Sequence, residues 1–399
     1  MRVAFVVPRY GPEVIGGAET AARLFAEHLA ARPGWKVEVL TTCAEDFVTW
    51  DDVYPPGTDA IAGVTVHRFA SLAGRDPSFH PLSAALLADP RAASADDADR
   101  WVDLQGPRCP ALVDAAAAFD GDALVFYPYL YHPTVRSIGR ARVPTVLHPA
   151  AHDEPALHLP VFPPVFAAAT AFVFQTRAER RLVEETFGVG ARPQLLLGLG
   201  VDDPGAGVPG SPTRGGEPPY LVALGRVDRH KGTTLLASLF AAYKRRHPSA
   251  LRLVLAGPVV EAPPPHPDVD VLGPVDEARK WELLAGATAL VSPSAFEAFS
   301  LVVAEAWSAG TPVLVNAACE ATVEHCRRSS GGVPFDGYAA FESAVDLLLA
   351  KPEVRDRLGR SGRAYVERRF RWPVVVERYA RFLASVAQRR PGAPGPAGR

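Results

Sequence analysis

Short apolar runs rich in β-branched residues alternate along most of the chain with longer stretches of helical spacing. Residues 3–7 have the composition of a buried strand, and 17–31 place apolar side chains on one helical face. Further strand-like runs in the first half of the chain are 35–42, 63–69, 122–128, 143–149 and 170–176. Strands that alternate with helices predict βαβ units and a parallel sheet.

The alternation stops at residues 202–219, which are dense in glycine and proline and have no periodicity. It then restarts with strands at 219–225, 251–257, 269–273, 287–293 and 312–316, and with helices at 233–243, 276–284 and 301–309. From residue 341 to 387 the pattern is helical, with breaks near Pro352 and Pro373. We therefore predict two α/β domains of similar size on either side of a linker.

The predicted boundaries follow these changes of pattern. Residues 1–205 form the first domain, 206–218 a linker, 219–370 the second domain, 371–388 a final helix and 389–399 a disordered tail. In open parallel sheets, ligands bind beyond the carboxyl ends of the strands. We therefore expect a binding site in a cleft between the two domains.

Composition narrows the function classes. The formal net charge is -2, whereas a nucleic-acid-binding protein usually has a basic excess, so no nucleic-acid partner is expected. No stretch reaches the length of a membrane span, and the apolar run at the N-terminus ends at Pro8, too early for a signal peptide. The four cysteines form no CxxC pair, which favours free thiols in a reducing compartment. These observations predict a cytoplasmic protein.

Two groups of residues resemble metal ligands, and neither predicts a metal site. Cys319, His325 and Cys326 have no fourth ligand at zinc-like spacing. Asp268 and Asp270 form a DxD pattern, but they lie outside the stretches that carry the other candidate residues. We predict neither a metal nor a cofactor.

The stretch 224–234, LGRVDRHKGTT, follows a predicted strand and opens a predicted helix. Arg226 and Lys231 place two cations beside the helix N-terminus, where backbone N–H groups and the helix dipole also favour phosphate. The chain has only five lysines, so a lysine here is less often incidental than an arginine. The lysine precedes its glycine, so this is no P-loop, and no GxGxxG follows any strand. Two solvated surface charges are the plain alternative.

Gly16 and Gly17 open the first predicted helix after the first strand. Paired glycines let the backbone approach a ligand closely and can adopt positive φ. An ordinary turn before a helix explains them equally well when they are taken alone. Their place after the first strand of a two-domain α/β protein favours a ligand contact.

The stretch 293–312, PSAFEAFSLVVAEAWSAGTP, holds two glutamates in apolar surroundings. We predict Glu297 on the loop before a helix and Glu305 in the helix's second turn. Ser300 and Leu301 would offer free N–H groups at the helix start, which is a further anion site. A core helix with one isolated glutamate is the alternative.

Two histidines follow the strand at 143–149. His148 ends the strand and His152 lies in the following loop. A lone histidine is most often structural, whereas two at the carboxyl end of one strand are better site candidates. We expect at least one of them in the site.

Together these motifs resemble a retaining glycosyltransferase of family 4 (glycosyl transferases group 1) with the GT-B fold, in which two Rossmann-like domains face each other across a cleft. The resemblance covers nearly the whole chain and depends most on Gly225-Arg226, Lys231-Gly232, Glu297 and Glu305, with Phe299 between the glutamates. The end of the chain, FRWPVVVERYARFL, resembles the family's closing helix, which crosses back to the first domain.

The resemblance implies a role for each matching residue. Arg226 and Lys231 would hold the diphosphate of a nucleotide sugar, Glu305 its ribose, and Glu297 the transferred sugar near the reacting carbon. A His-Asp pattern favours His152 over His148 as a sugar contact. The other implied donor contacts are Gly16 and Gly17 under the diphosphate, Leu272 and Gly273 near the nucleobase, and Phe299, Ser300 and Leu301 around the helix start. Ser300 departs from the family, which often has glycine there.

The implied reaction moves a sugar from a UDP- or GDP-sugar to an acceptor hydroxyl with retention of anomeric configuration and without a metal. The resemblance does not identify the acceptor, and three classes are compatible with it: a glycan, a lipid-linked molecule or a small molecule. Aromatic residues of 127–134 are candidates for its pocket or for the core. The basic stretch 243–249 could touch an anionic membrane, although a helix C-terminus with favourable cations explains it better. The alternatives are a GT-B nucleotide-sugar epimerase and an inactive nucleotide-sugar-binding subunit.

Overall fold

The computed structural model describes residues 1–14, 16–72, 74–203 and 218–389. These residues divide into two compact units: Met1–Gly198 with the chain from Val375 onward, and Leu199–Val374. Most of the linker predicted at 206–218 lies outside the described residues, and so does the predicted tail beyond residue 389.

Among its described residues, the N-terminal unit contains a sheet of eight strands in the order β3-β4-β2-β1-β5-β6-β7-β8, in which the β3–β4 pair is antiparallel and the other pairs are parallel. The strands are β1 (Arg2–Val6), β2 (Lys36–Thr42), β3 (Gly57–Ile61), β4 (Val64–Phe69), β5 (Ala123–Phe126), β6 (Thr145–Leu147), β7 (Ala171–Phe174) and β8 (Gln194–Leu196). Its helices are α1 (Gly17–Ala30), α2 (Phe79–Ala88), α3 (Ala95–Gln105), α4 (Pro110–Ala118), α5 (His132–Ser137), α6 (Phe162–Ala168) and α7 (Arg177–Phe187).

The C-terminal unit contains a fully parallel sheet of six strands in the order β11-β10-β9-β12-β13-β14. The strands are β9 (Tyr220–Leu224), β10 (Arg252–Ala256), β11 (Val269–Gly273), β12 (Ala289–Ser292), β13 (Val313–Asn316) and β14 (Gly332–Phe335). Its helices are α8 (Thr233–Arg246), α9 (Glu277–Gly286), α10 (Leu301–Ser308), α11 (Glu320–Ser329), α12 (Tyr338–Ala350) and α13 (Pro352–Arg369).

The last helix, α14 (Trp372–Ala387), begins in the C-terminal unit and continues in the N-terminal one. Its buried apolar residues in the N-terminal unit recur every three or four positions, and they include Val375, Tyr379, Leu383 and Val386. This spacing forms one apolar stripe, which explains why the segment is helical and which face it buries.

Both sheets have a point where the strand order reverses. In the C-terminal unit β9 lies between β10 and β12, so the chain leaves β9 to one side and later returns to its other side. In the N-terminal unit β1 lies in the same way between β2 and β5. Such switch points leave a crevice at the carboxyl ends of the strands. The loops after β9, β12 and β1 are therefore the places to look for a ligand site.

Candidate functional site

The loop between β9 and α8 is organised by a buried aspartate, Asp228. Its carboxylate accepts a hydrogen bond from the backbone N–H of Lys231 at 2.6 Å and also contacts the guanidinium of Arg226. Its backbone carbonyl accepts from the hydroxyl of Thr233 at 3.0 Å. Burial alone would raise the pKa of Asp228, but the N–H of Lys231 and the guanidinium of Arg226 hold it below the usual range. Asp228 thus fixes the turn that carries both cations.

Lys231 makes a second contact, with the loop after β12. Its Nζ lies 2.6 Å from Oε1 of Glu297. The lysine side chain is 39% exposed and the glutamate side chain 16%, so the ammonium can still reach a ligand. The structure therefore brings together two residues predicted to act on one ligand.

The same two loops touch through their backbones at Gly232, the N-cap of α8. Gly232 has φ +76, and a Cβ added there would lie 2.6 Å from the carbonyl oxygen of Pro293. That carbonyl is held in place by the side-chain amide of Asn316 at 2.9 Å. Only glycine satisfies both the conformation and the space at this position.

The start of α10 has unusual backbone geometry. Ser300 is the N-cap, with φ +68, and its buried hydroxyl has no hydrogen-bond partner among the described residues. Leu301 is the first residue of the helix. Phe299 is buried against His325 and Phe370, at ring-centroid distances of 4.9 and 5.1 Å. The Phe299 side chain therefore anchors the turn. A contact between the Phe299 backbone and the sugar donor stays a prediction.

Glu305 lies on α10 and is 7% exposed. Its Oε1 contacts Nζ of Lys280 on α9 at 2.7 Å. Burial raises the pKa of Glu305, and the neighbouring ammonium opposes that rise. A buried carboxylate with a single cationic partner is poised to accept further hydrogen bonds.

Leu272 and Gly273 end β11. Leu272 is 43% exposed. The carbonyl of Gly273 is occupied by the N–H of Gly257 at 2.8 Å.

In the N-terminal unit, Gly16 is the N-cap of α1 and Gly17 its first residue. Gly16 has an extended φ of 170°, so its backbone conformation does not require glycine. A Cβ added at Gly16 would meet the side chains of Glu19 and Arg9 at 2.3 and 2.9 Å, and a Cβ at Gly17 would meet nothing within 4 Å. Glu19 and Arg9 form a buried ion pair at 2.6 Å beneath this turn.

The two histidines after β6 have different surroundings. His148 is 1% exposed, its Nε2 lies 2.8 Å from the hydroxyl of Tyr379, and its ring stacks on Tyr127. Burial lowers its pKa to about 3, so the ring is neutral. The side chain of His152 is 34% exposed and lies 3.4 Å from Glu154.

The loop that holds His152 is tied down by Glu179 of α7. The carboxylate accepts the backbone N–H of Ala151 at 3.0 Å and that of Gln175 at 2.7 Å. Glu179 is fully buried, and burial raises its pKa to about 7. This contact joins the turn after β6 to the start of α7.

The residues that resembled metal ligands in the sequence form ion pairs or hydrogen bonds with other parts of the protein. Asp268 pairs with Lys244 at 3.1 Å, and Asp270 pairs with Arg252 through two contacts of 2.8 and 2.6 Å. His325 accepts or donates a hydrogen bond with the hydroxyl of Tyr365 at 3.1 Å. Each group thus has a structural partner.

The aromatic stretch 127–134 is largely buried, whereas the basic stretch 243–249 is partly exposed, with Arg245 and Arg246 at the surface. Lys244 is buried and donates to the backbone carbonyl of Leu251 at 3.1 Å, and His247 lies 2.8 Å from Glu342. Tyr127 and Tyr129 are buried in the N-terminal core. Among the described residues, no helix is long and apolar enough to cross a membrane.

Sequence reasoning did not single out Asp228, Asn316, Lys280 or Glu179. Asp228 had a local signal, since aspartate commonly caps turns before helices. The other three act on residues distant in the sequence, and only the fold brings them together.

Comparison with known proteins finds a family similarity in the C-terminal half of the chain. Residues 210–365 match the family model of glycosyl transferases group 1. The matched residues lie within the C-terminal unit. The D-inositol 3-phosphate glycosyltransferase of Xylanimonas cellulosilytica is 29% identical over 188 residues, which is 43% of this chain and 44% of that relative. The aligned part thus spans less than half the length of this curated relative.

Solved structures resemble this chain over both units. Sucrose-phosphate synthase from Thermosynechococcus elongatus has a TM-score of 0.69 at 17% identity and covers 96% of this chain and 98% of its own. Anabaena HepE in complex with UDP and glucose has a TM-score of 0.63 at 15% identity, covering 96% and 100%. The E. coli trehalose-6-phosphate structure bound with UDP-2-fluoro glucose gives 0.68 at 13%, covering 98% and 100%. The predicted GT-B fold is confirmed.

Proposed function

We propose that this chain transfers a sugar from a nucleoside-diphosphate sugar to an acceptor hydroxyl, with retention of anomeric configuration and without a metal ion. The observation that carries the proposal is the contact of Lys231 with Glu297 at the switch point of the C-terminal sheet. In this proposal the ammonium stabilises the leaving diphosphate, and the neighbouring carboxylate contacts the transferred sugar. The UDP ligands of HepE and of the E. coli structure support a nucleotide-sugar donor.

The residues suit the chemistry of this transfer. Cleavage of a sugar–phosphate bond needs stabilisation of negative charge on the leaving diphosphate more than it needs a strong base. Arg226, Lys231 and the N-terminus of α8 supply positive charge from one loop, and the N-terminus of α10 supplies free N–H groups. The leaving phosphate would then accept the acceptor's proton on the same face of the sugar.

The proposal assigns the other donor contacts as follows. Glu305 would accept hydrogen bonds from the ribose, while Leu272 and Gly273 would contact the nucleobase through the backbone. Gly17 has open space where a Cβ would lie, which suits a backbone approach to the diphosphate. Of the two histidines, we assign the sugar contact to the more exposed His152.

The proposal is tested with a panel of UDP-, GDP- and dTDP-sugars. A true donor at a hundredfold excess over its Kd should stabilise the full chain by about 2.7 kcal/mol, and Lys231→Ala should lose that stabilisation. Slow release of the nucleotide, with an α-linked product from an α-linked donor, identifies a retaining transferase. An epimerised sugar nucleotide identifies an epimerase, and binding without any turnover identifies an inactive subunit. Failure of all these nucleotides to bind would overturn the donor site.

A further inference from the structure

Lys280 on α9 is a partly buried lysine to which none of the roles above is assigned. Its side chain is 18% exposed. Its ammonium contacts two carboxylates, Oε2 of Glu277 and Oε1 of Glu305, both at 2.7 Å. The side chain of Glu277 is 78% exposed, so that contact is screened by water. The contact with the buried Glu305 is the one that matters energetically.

An ionised carboxylate at the position of Glu305 needs a partner, because burial without one strongly disfavours the charge. Lys280 is that partner. Burial acts to lower the pKa of this lysine, but Glu305 and Glu277 together raise the pKa by more than burial lowers it, so the ammonium stays charged. The contact occupies Oε1 of Glu305. In the described part of the chain, no side chain or backbone group donates a hydrogen bond to Oε2 of Glu305.

We propose that Lys280 is a positioning residue that keeps Glu305 ionised and holds its second oxygen ready for the ribose hydroxyls of the donor. This inference rests on the proposed function, which assigns the ribose to Glu305. A vicinal diol presents two O–H donors, and an ionised carboxylate accepts both without presenting a competing donor. A site built to hydrogen-bond a hydroxyl rejects an analogue that lacks it. Lys280 thus makes the donor site selective for ribonucleotides over 2′-deoxyribonucleotides.

The test measures binding of UDP, GDP and their 2′-deoxy analogues to the full chain by calorimetry. Lys280→Met keeps the length of the side chain and removes the charge, and Lys280→Arg restores the charge. Arg279→Gln is the matched control, since Arg279 is the preceding residue of the same helix and pairs only with Glu282 among the described residues. Thermal unfolding of each variant checks that it is folded.

Lys280→Met should bind the preferred ribonucleotide about tenfold more weakly, while its affinity for the 2′-deoxy analogue changes less than about twofold. Lys280→Arg should recover most of the preference, and Arg279→Gln should keep all of it. A merely structural role would weaken both nucleotides equally, and that result overturns the inference, as does an unchanged preference. If the wild-type chain binds none of the nucleotides, the proposed function itself fails.

Discussion

The ammonium of Lys231 and the carboxylate of Glu297 meet at 2.6 Å, although 66 positions separate them in the sequence. One ends the loop after β9 and the other lies in the loop after β12, on neighbouring strands of the parallel sheet. Because the two side chains are in contact, a charge that develops on a ligand beside one of them also interacts with the other. The pair is the centre of the proposed donor site.

Replacement of Lys231 by alanine should lower kcat by roughly 10²-fold or more, because the leaving diphosphate loses a preorganised cation. Steady-state kinetics with the donor found by the panel measures this loss. Arg229→Ala is the control, since Arg229 lies on the same loop but is 79% exposed and pairs with Glu261. Unchanged turnover in Lys231→Ala would sink the assignment.

Replacement of Gly232 by alanine should destabilise the C-terminal unit by roughly 2–3 kcal/mol, through both the left-handed conformation and the clash with the Pro293 carbonyl. Gly310→Ala is a matched control, because Gly310 has φ +83 but open space around an added Cβ. The difference between their urea midpoints isolates the cost of the clash. Equal midpoints for the two variants would show that the loops can separate freely.

Replacement of Ser300 by glycine should be tolerated. Glycine relieves the positive φ, keeps the backbone N–H at the start of α10, and removes a hydroxyl without a described partner. The expected stability lies within about 1 kcal/mol of wild type, with donor affinity retained. Ser300→Val, by contrast, should lose roughly 1–2 kcal/mol because a β-branched residue resists positive φ. A large loss in the glycine variant would mean that the hydroxyl has a role of its own.

Glu179 should make stability depend on pH. Its pKa is raised from 4.5 to about 7 in the folded chain, so its contribution is fully present below pH 4.5 and is lost as pH rises through 7. Glu179→Gln, which does not ionise, should lack this decline, amounting to roughly 2–3 kcal/mol in wild type. Unfolding midpoints of both proteins from pH 5 to 8 give the comparison. Parallel profiles would contradict the assigned titration.

The pattern of apolar residues predicted most of the central strands of both sheets, because strands that are buried on both faces are continuous apolar runs. It gave no element between residues 70 and 121, where the chain forms α2, α3 and α4. Two of these three helices have apolar residues throughout rather than a clear polar face, and α3 begins with a cluster of aspartates that also suits a loop. It also missed the edge strand β3, in which no residue is buried.

For the site, the sequence indicated residue types but not their partners. Lys231 and Glu297 were predicted to share a ligand, and their direct contact needed the fold. His148 and His152 could not be separated by spacing, whereas their burial separates them clearly. Lys280 had no motif at all, because its partner Glu305 lies on another helix.

The contact of Gly232 with the Pro293 carbonyl has a consequence for protein engineering. The segment after β9 can be exchanged alone with that of a relative only where the relative has glycine at position 232, since a Cβ there would strike the backbone of the segment after β12. A chimera that brings in any other residue at this position has to transplant both segments together, along with Asn316, which holds that carbonyl in place.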